Sequence, residues 1–271
     1  MSSYSISDYK TKAFAWVDIL GFKNLVDSLH SPHGSKEASF DQIAKVMEKI
    51  QNRIENHNSV RPDEISNDFQ ITAFSDSIVV SADPTNAHGL VSTTRWISQQ
   101  LMSNGVLTRG AIVLDEILHK GAVVFGRALI RAYELESKSV IWPRYIIDPN
   151  LKRLVESQHG AHPDAEVRIV EDIDGLPTFN PFEITVDGGG YADRPTRMAE
   201  WGQVLNQKIR ELNGIQNWDK RQAIQSKIAY LCRKFNVEVD STEAPNGMKH
   251  PIEIGPLPHL RLDLPRFPTS N

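Results

Sequence analysis

The chain has 271 residues, 40% of them hydrophobic, with a formal net charge of -4, enough to bury one elaborated domain or a domain plus a subdomain. It contains no basic block and no interleaving of basic and aromatic residues, so it lacks the phosphate-neutralising footprint of a nucleic-acid binder. No apolar run approaches the ~20 residues that span a bilayer, Cys232 has no intrachain partner, and the first residues lack a charged-then-apolar signal segment. A cytoplasmic protein that binds neither nucleic acid nor membrane is expected.

The apolar run from Ala13 to Val17 reads as a first strand that ends at Asp18 and turns sharply at Gly21. Phe40, Ile43, Val46, Met47, Ile50 and Ile54 recur at helical intervals, predicting an amphipathic helix from about Lys36 to His57. A hairpin from about Phe69 to Ser81 follows, with Asp76 at its polar tip. Asp83 and Pro84 start a second helix, which Asn104 and Gly105 stop. Val106 to Leu114 and Gly121 to Phe125 read as further strands, then Ala128 to Glu136 as a helix. This order predicts an α+β chain built on a ferredoxin-like split βαβ palm with extensions.

Val140 to Ile147 reads as one more strand, with Pro143 marking an edge or bulge, followed by a short helix from Pro149 to Gln158. A polar stretch to about Thr185 and the turn-rich Gly188 to Gly190, expected as a mobile loop, lead to helices over 194–212 and 218–235. The many prolines from Pro251 to Pro268 predict an extended arm. The expected organisation is a core over 1–150 and a C-terminal extension over 151–271 that pads the core or an interface. His119, His159, His162 and His250 lack the spacing of zinc ligands.

Asp18 and Asp76 are the residues most suggestive of chemistry. If the first strand lies beside the hairpin, both carboxylates project from one sheet edge. Two anionic groups on rigid strands can hold a pair of divalent ions, an arrangement suited to in-line displacement at phosphorus.

The surrounding sequence resembles the class III nucleotide cyclases. Asp18-Ile19-Leu20-Gly21-Phe22 is similar to that family's first metal motif, and Phe74-Ser75-Asp76-Ser77 falls where its second metal aspartate lies in a hairpin turn. Phe125 to Glu136 is similar to its glycine-to-helix segment ending in an acidic residue, and Thr108-Arg109-Gly110-Ala111-Ile112 to the strand before it. The resemblance covers about residues 13 to 140.

That resemblance implies a ferredoxin-like βαββαβ palm with extra C-terminal strands and helices. It implies a phosphorus–oxygen lyase in which the ribose 3′-hydroxyl attacks the α-phosphate of its own triphosphate and pyrophosphate leaves. Asp18, Asp76 and the carbonyl of Ile19 would hold two Mg²⁺ or Mn²⁺ ions per site. Amides of Leu20, Gly21, Phe22 and Lys23 would cradle the β- and γ-phosphates.

Departures from the family refine the reading. Thr72 and Val123 stand where purine cyclases carry their base readers, Ile130 where they carry a ribose-orienting asparagine, and Glu134 where they carry a charge-stabilising arginine. Another cation must then face the α-phosphate, with Arg109, Arg127 and Arg131 as candidates. These departures resemble the pyrimidine cyclases of Pycsar antiphage systems, which implies UTP or CTP as substrate, a homodimer with two shared sites, and a separate effector that binds the cyclic product. An adenylate or guanylate cyclase with an atypical base pocket, and a non-catalytic nucleotide-binding dimerisation module, are the competing readings.

Overall fold

A computed structural model describes residues 5–28, positions 41, 44–45, 47–48 and 50–52, and residues 69–158, 167–184, 193–241 and 256–265. Its centre is an antiparallel sheet in the order β2-β3-β1-β4-β5, formed by β1 (Lys10–Ile19), β2 (Gln70–Phe74), β3 (Ser77–Ala82), β4 (Thr108–Lys120) and β5 (Val123–Gly126). A short sixth strand, β6 (Tyr145–Ile147), runs parallel to β4. The first four strands have the neighbours and directions of a split βαβ palm, as the element order predicts.

Alternation along the strands sorts side chains onto two faces. Ala13, Ala15, Val17 and Ile19 of β1 join Ile78, Val80 and Ile112 beneath α3 (Ala87–Ser103), which contributes Leu90, Val91, Ile97 and Leu101. Phe22 of α1 (Phe22–Ser28) and Leu151 and Val155 of α5 (Pro149–Ser157) pack on this same face. The helix expected from Lys36 to His57 lies mostly outside the described residues; its described positions, 41, 44–45, 47–48 and 50–52 of α2, are helical and bury Ile50 here. On the opposite face Phe14, Val79, Ala111 and Val113 meet Ala128 and Ala132 of α4 (Arg127–Ser139).

Two strands differ most from expectation. β4 continues six residues past Leu114 through Asp115 and Glu116, because those charged residues meet Arg127 and Arg131 of α4 rather than ending the strand. β6 begins only after Pro143, which lacks the amide a ladder needs. A hairpin absent from the sequence reading, β7 (Ile169–Glu171) with β8 (Pro177–Phe179), occupies part of the polar stretch. Its turn is secured by Arg144, which is 1% exposed and ion-paired with Asp172, at 2.6 Å, and with Asp174. Tyr230 and Lys234 also bond Asp172, at 2.7 and 2.9 Å. Burial works against ionisation of Asp172, but Lys234, Tyr230 and Arg144 hold its pKa down at about 2.

The C-terminal helices α6 (Arg194–Glu211) and α7 (Trp218–Asp240) form a further apolar cluster around Trp201, Leu205, Ile228, Leu231 and Phe235. α7 runs five residues past the expected Phe235 and buries Val239. Of the predicted arm only 256–265 is described, a short strap that buries Leu262 against this cluster; the Gly188–Gly190 loop lies outside the described residues. Met102 at the end of α3, Leu107 before β4 and Trp142 before β6 reach into the cluster. The α6–α7 cluster is therefore seated at the end of the sheet where β1 finishes and β4 starts. No helix among the described residues is long and apolar enough to cross a membrane.

Candidate active site

β1 is flanked on both sides at its last residues. Asp18 lies opposite Ser77 of β3 and opposite Arg109 of β4, and the Ile19 amide donates to the Asp76 carbonyl at 2.8 Å. The two predicted metal-binding aspartates thus come together at one end of the sheet, Asp18 on a strand and Asp76 exposed in the β2–β3 turn. Ser75 takes a positive φ of 47° to make that turn. Gly21 follows β1 with φ 76°, a left-handed conformation that suits glycine and swings the chain into α1. The Leu20 amide donates to the Leu107 carbonyl at 2.9 Å, so it is committed to the sheet. Among the predicted phosphate-binding amides, Gly21, Phe22 and Lys23 are those beyond that bond.

Asp18 and Arg109 point to the α4 face, as the alternation with Phe14 and Ala111 requires. The Arg109 Nε donates to Asp18 Oδ2 at 3.0 Å, and a terminal nitrogen donates to the Val140 carbonyl at 2.8 Å. Glu136 approaches the same Nε at 2.6 Å, as an ion pair lying off the N–H direction. Glu136 is 4% exposed, against 20% for Asp18 and 26% for Arg109. Burial first, and the neighbouring Asp18 charge after it, push the Glu136 pKa up against the pull of Arg109. Next to Arg109, Gly110 leaves room for β1 and Tyr145: a Cβ there would fall 2.0 Å from the Trp16 carbonyl oxygen.

Sequence reasoning did not single out Glu136 as part of the site. The available signal was its place four residues after Ala132 and eight after Ala128, an acid in the buried stripe of α4. Lys227 of α7 was also missed. It is partly buried, and both Arg109 and Asp18 act on its ammonium group. Burial first and Arg109 second lower its pKa, with Asp18 opposing.

The two predicted base-reading positions lie close together. The Thr72 hydroxyl donates to the Gly121 carbonyl at 2.7 Å, in the β4–β5 turn that leads into Val123. The His119 Nε2 sits 2.9 Å from the same hydroxyl oxygen, and its Nδ1 sits 2.9 Å from Ser81 Oγ. A hydroxyl has one hydrogen, and that of Thr72 goes to Gly121. In the neutral ring the proton must then be on Nε2, and Ser81 donates to Nδ1.

The remaining candidates lie elsewhere along the sheet. Arg127 is 70% exposed and 3.6 Å from Asp115; Arg131 is paired with Asp148 and lies 3.6 Å from Asp115. Asp115 is about 20 Å from Arg109 along β4 at ~3.3 Å per residue. Arg127 is therefore not brought to Asp18 within one chain, and Arg131 is held at Asp148 and Asp115 instead. Ile130 and Tyr133 of α4 are 60% and 55% exposed, and Phe125 of β5 is 53% exposed. Among the described residues no three or more histidine, cysteine, aspartate or glutamate side chains gather as a metal site.

No protein-family model and no curated protein matches the chain. Two solved structures, each of a bacterial light-regulated adenylyl cyclase, are similar to it. One is 14% identical at a TM-score of 0.42, with 63% of this chain and 51% of the other covered. The second is 13% identical at the same TM-score, with 72% and 57% covered. The chain thus spans little more than half the length of those proteins. The fold assignment rests on the strand order and directions described above.

Proposed function

We propose that the chain is a class III-type nucleotide cyclase that converts a pyrimidine ribonucleoside triphosphate to its 3′,5′-cyclic monophosphate and pyrophosphate. The observation that supports this reading is the placement of Asp18 and Asp76 at one sheet end, where the Ile19 amide bonds the Asp76 carbonyl. The donors there, two carboxylates and the carbonyl of Ile19, are all hard oxygens and fit Mg²⁺ or Mn²⁺. Such ions, when bound, supply acidification of the ribose hydroxyl and neutralisation of phosphate charge.

The chain's own residues have separable tasks. Arg109, anchored by Glu136 and the Val140 carbonyl, fixes the orientation of Asp18. The turn at Gly21 presents the amides of Gly21, Phe22 and Lys23 to the β- and γ-phosphates. Thr72, with its hydrogen committed to Gly121, offers the base an acceptor, which suits the N3–H of uracil or the 4-amino group of cytosine. Val123 contributes no charge there. Because Arg127 lies at the other end of the sheet, the helix surface of a second copy would complete each site. A homodimer with Arg127, Ile130 and Arg131 from one chain facing Asp18 and Asp76 of the other meets that need. The product would then serve as a second messenger for a separate effector in antiphage defence.

Competition among equal concentrations of the four ribonucleoside triphosphates tests the base assignment. UTP is expected to be cyclised first and CTP second, since a pocket that leaves purine polar groups unpaired disfavours ATP and GTP by about 3 kcal/mol or more. A cyclic purine as the main product overturns the pyrimidine reading; cyclic CMP as the main product overturns only the choice of uridine. The ion pair that occupies Asp18 favours one rival, a nucleotide-binding module without turnover, and that rival predicts no cyclic product from any triphosphate.

A further inference from the structure

The C-terminal extension is seated at the same sheet end as the two aspartates. Trp142 stacks on Tyr230 of α7 with ring centroids 5.4 Å apart and planes 2° from parallel. Leu107, whose carbonyl bonds the amide of Leu20 beside Asp18, packs in the cluster that holds Ile224, Ile228 and Leu231. Lys227 lies one helical turn before Tyr230, on a stretch of α7 that this packing seats at that end of the sheet, and the charges of Arg109 and Asp18 act on it.

Its electrostatic setting is unusual for a lysine. No carboxylate among the described residues comes within ion-pair distance of it, and a second cation, Arg109, is a neighbour whose charge acts on it. A partly desolvated ammonium beside a guanidinium is unfavourable in isolation and becomes favourable when an anion arrives between them. Asp18, the carboxylate whose charge acts on Lys227, is already occupied by Arg109 at 3.0 Å.

We propose that Lys227, carried in by α7, is a phosphate-binding residue of this site and takes the polyphosphate of the bound nucleotide. The proposal rests on the nucleotide reading above and gives the C-terminal extension a part in substrate binding. It also supplies, within the same chain as the aspartates, a cation that α4 does not bring there.

The test uses the full-length protein and inorganic tripolyphosphate with Mg²⁺, measured by calorimetry, alongside uridine as a control without phosphate. Lys227→Met keeps the stem's volume without the charge. It is expected to weaken tripolyphosphate binding by about tenfold or more while leaving uridine binding and the melting temperature unchanged. Lys227→Arg is expected to retain most of the binding. Tripolyphosphate binding by Lys227→Met within twofold of the unmodified protein, or no binding by the unmodified protein, overturns the assignment. Turnover of UTP measured in parallel separates the two readings. Lost tripolyphosphate affinity in a protein that makes no cyclic product defeats only the cyclase, and cyclic product with unchanged affinity defeats only Lys227.

Discussion

Asp18→Ala and Asp76→Ala are each expected to lower cyclisation by about a thousandfold or more with little change in melting temperature. Each carboxylate would bind the ions that stabilise charge on the transferring phosphate, and neither supports the core. Asp76 is exposed in a turn, and its backbone carbonyl, which holds Ile19, survives the substitution. Removing the Asp18 carboxylate leaves Arg109 anchored by Glu136 and by the Val140 carbonyl. Rates from purified variants, read with a thermal melt of each, decide the matter. An Asp76→Ala protein that turns over at the unmodified rate removes the second metal-binding role.

Subunit mixing is expected to produce the next largest effect, activity recovered from two inactive preparations. Arg127 points toward Asp115 and Glu116, remote from Asp18 on the same chain, so the proposed site would draw its metal-binding half and its helix half from different copies. Asp18→Ala and Arg127→Ala homodimers should each be nearly inactive. A random equimolar mixture contains one intact site in each heterodimer, which sets the recovery at about a quarter of the unmodified activity for a symmetric dimer. Recovery is measured after co-refolding or co-expression with distinguishable tags. A mixture no more active than its parts, or full activity from a monomeric species, contradicts the shared site.

The palm was legible in the sequence because its elements obey simple periods. Ala13 to Val17 is a buried run, Ile71 to Val80 carries a turn at Ser75 and Asp76, and Ala128 and Ala132 recur at helical spacing. The neighbouring placement of Asp18 and Asp76 was legible for the same reason, since β3 and β4 take β1 between them. Local pattern carries no information about contacts made across the fold, and there the reading stopped. The β7–β8 hairpin is held by Arg144, Tyr230 and Lys234, which lie outside its own short strands. Glu136 looked like the end of a helix motif until its burial beside Arg109 was visible. Lys227 sits on a helix whose docking at the Asp18 end of the sheet depends on Leu107 and Trp142, a packing that no spacing rule encodes. The family resemblance pairs Thr72 with Val123 as base-reading positions, but the hydrogen bond of Thr72 to the β4–β5 turn and its direction required His119 and Gly121 to be seen together.

The most direct test of a cyclase is a mass balance on a single substrate. Purified protein incubated with UTP and Mn²⁺ should consume the triphosphate and yield 3′,5′-cyclic UMP and pyrophosphate in equal amounts, because the attacking oxygen belongs to the substrate and no water enters the product. Reaction in water enriched in oxygen-18 should leave the cyclic nucleotide unlabelled. Formation of UDP and phosphate, of labelled UMP, or of no product from any of the four triphosphates would contradict the assignment.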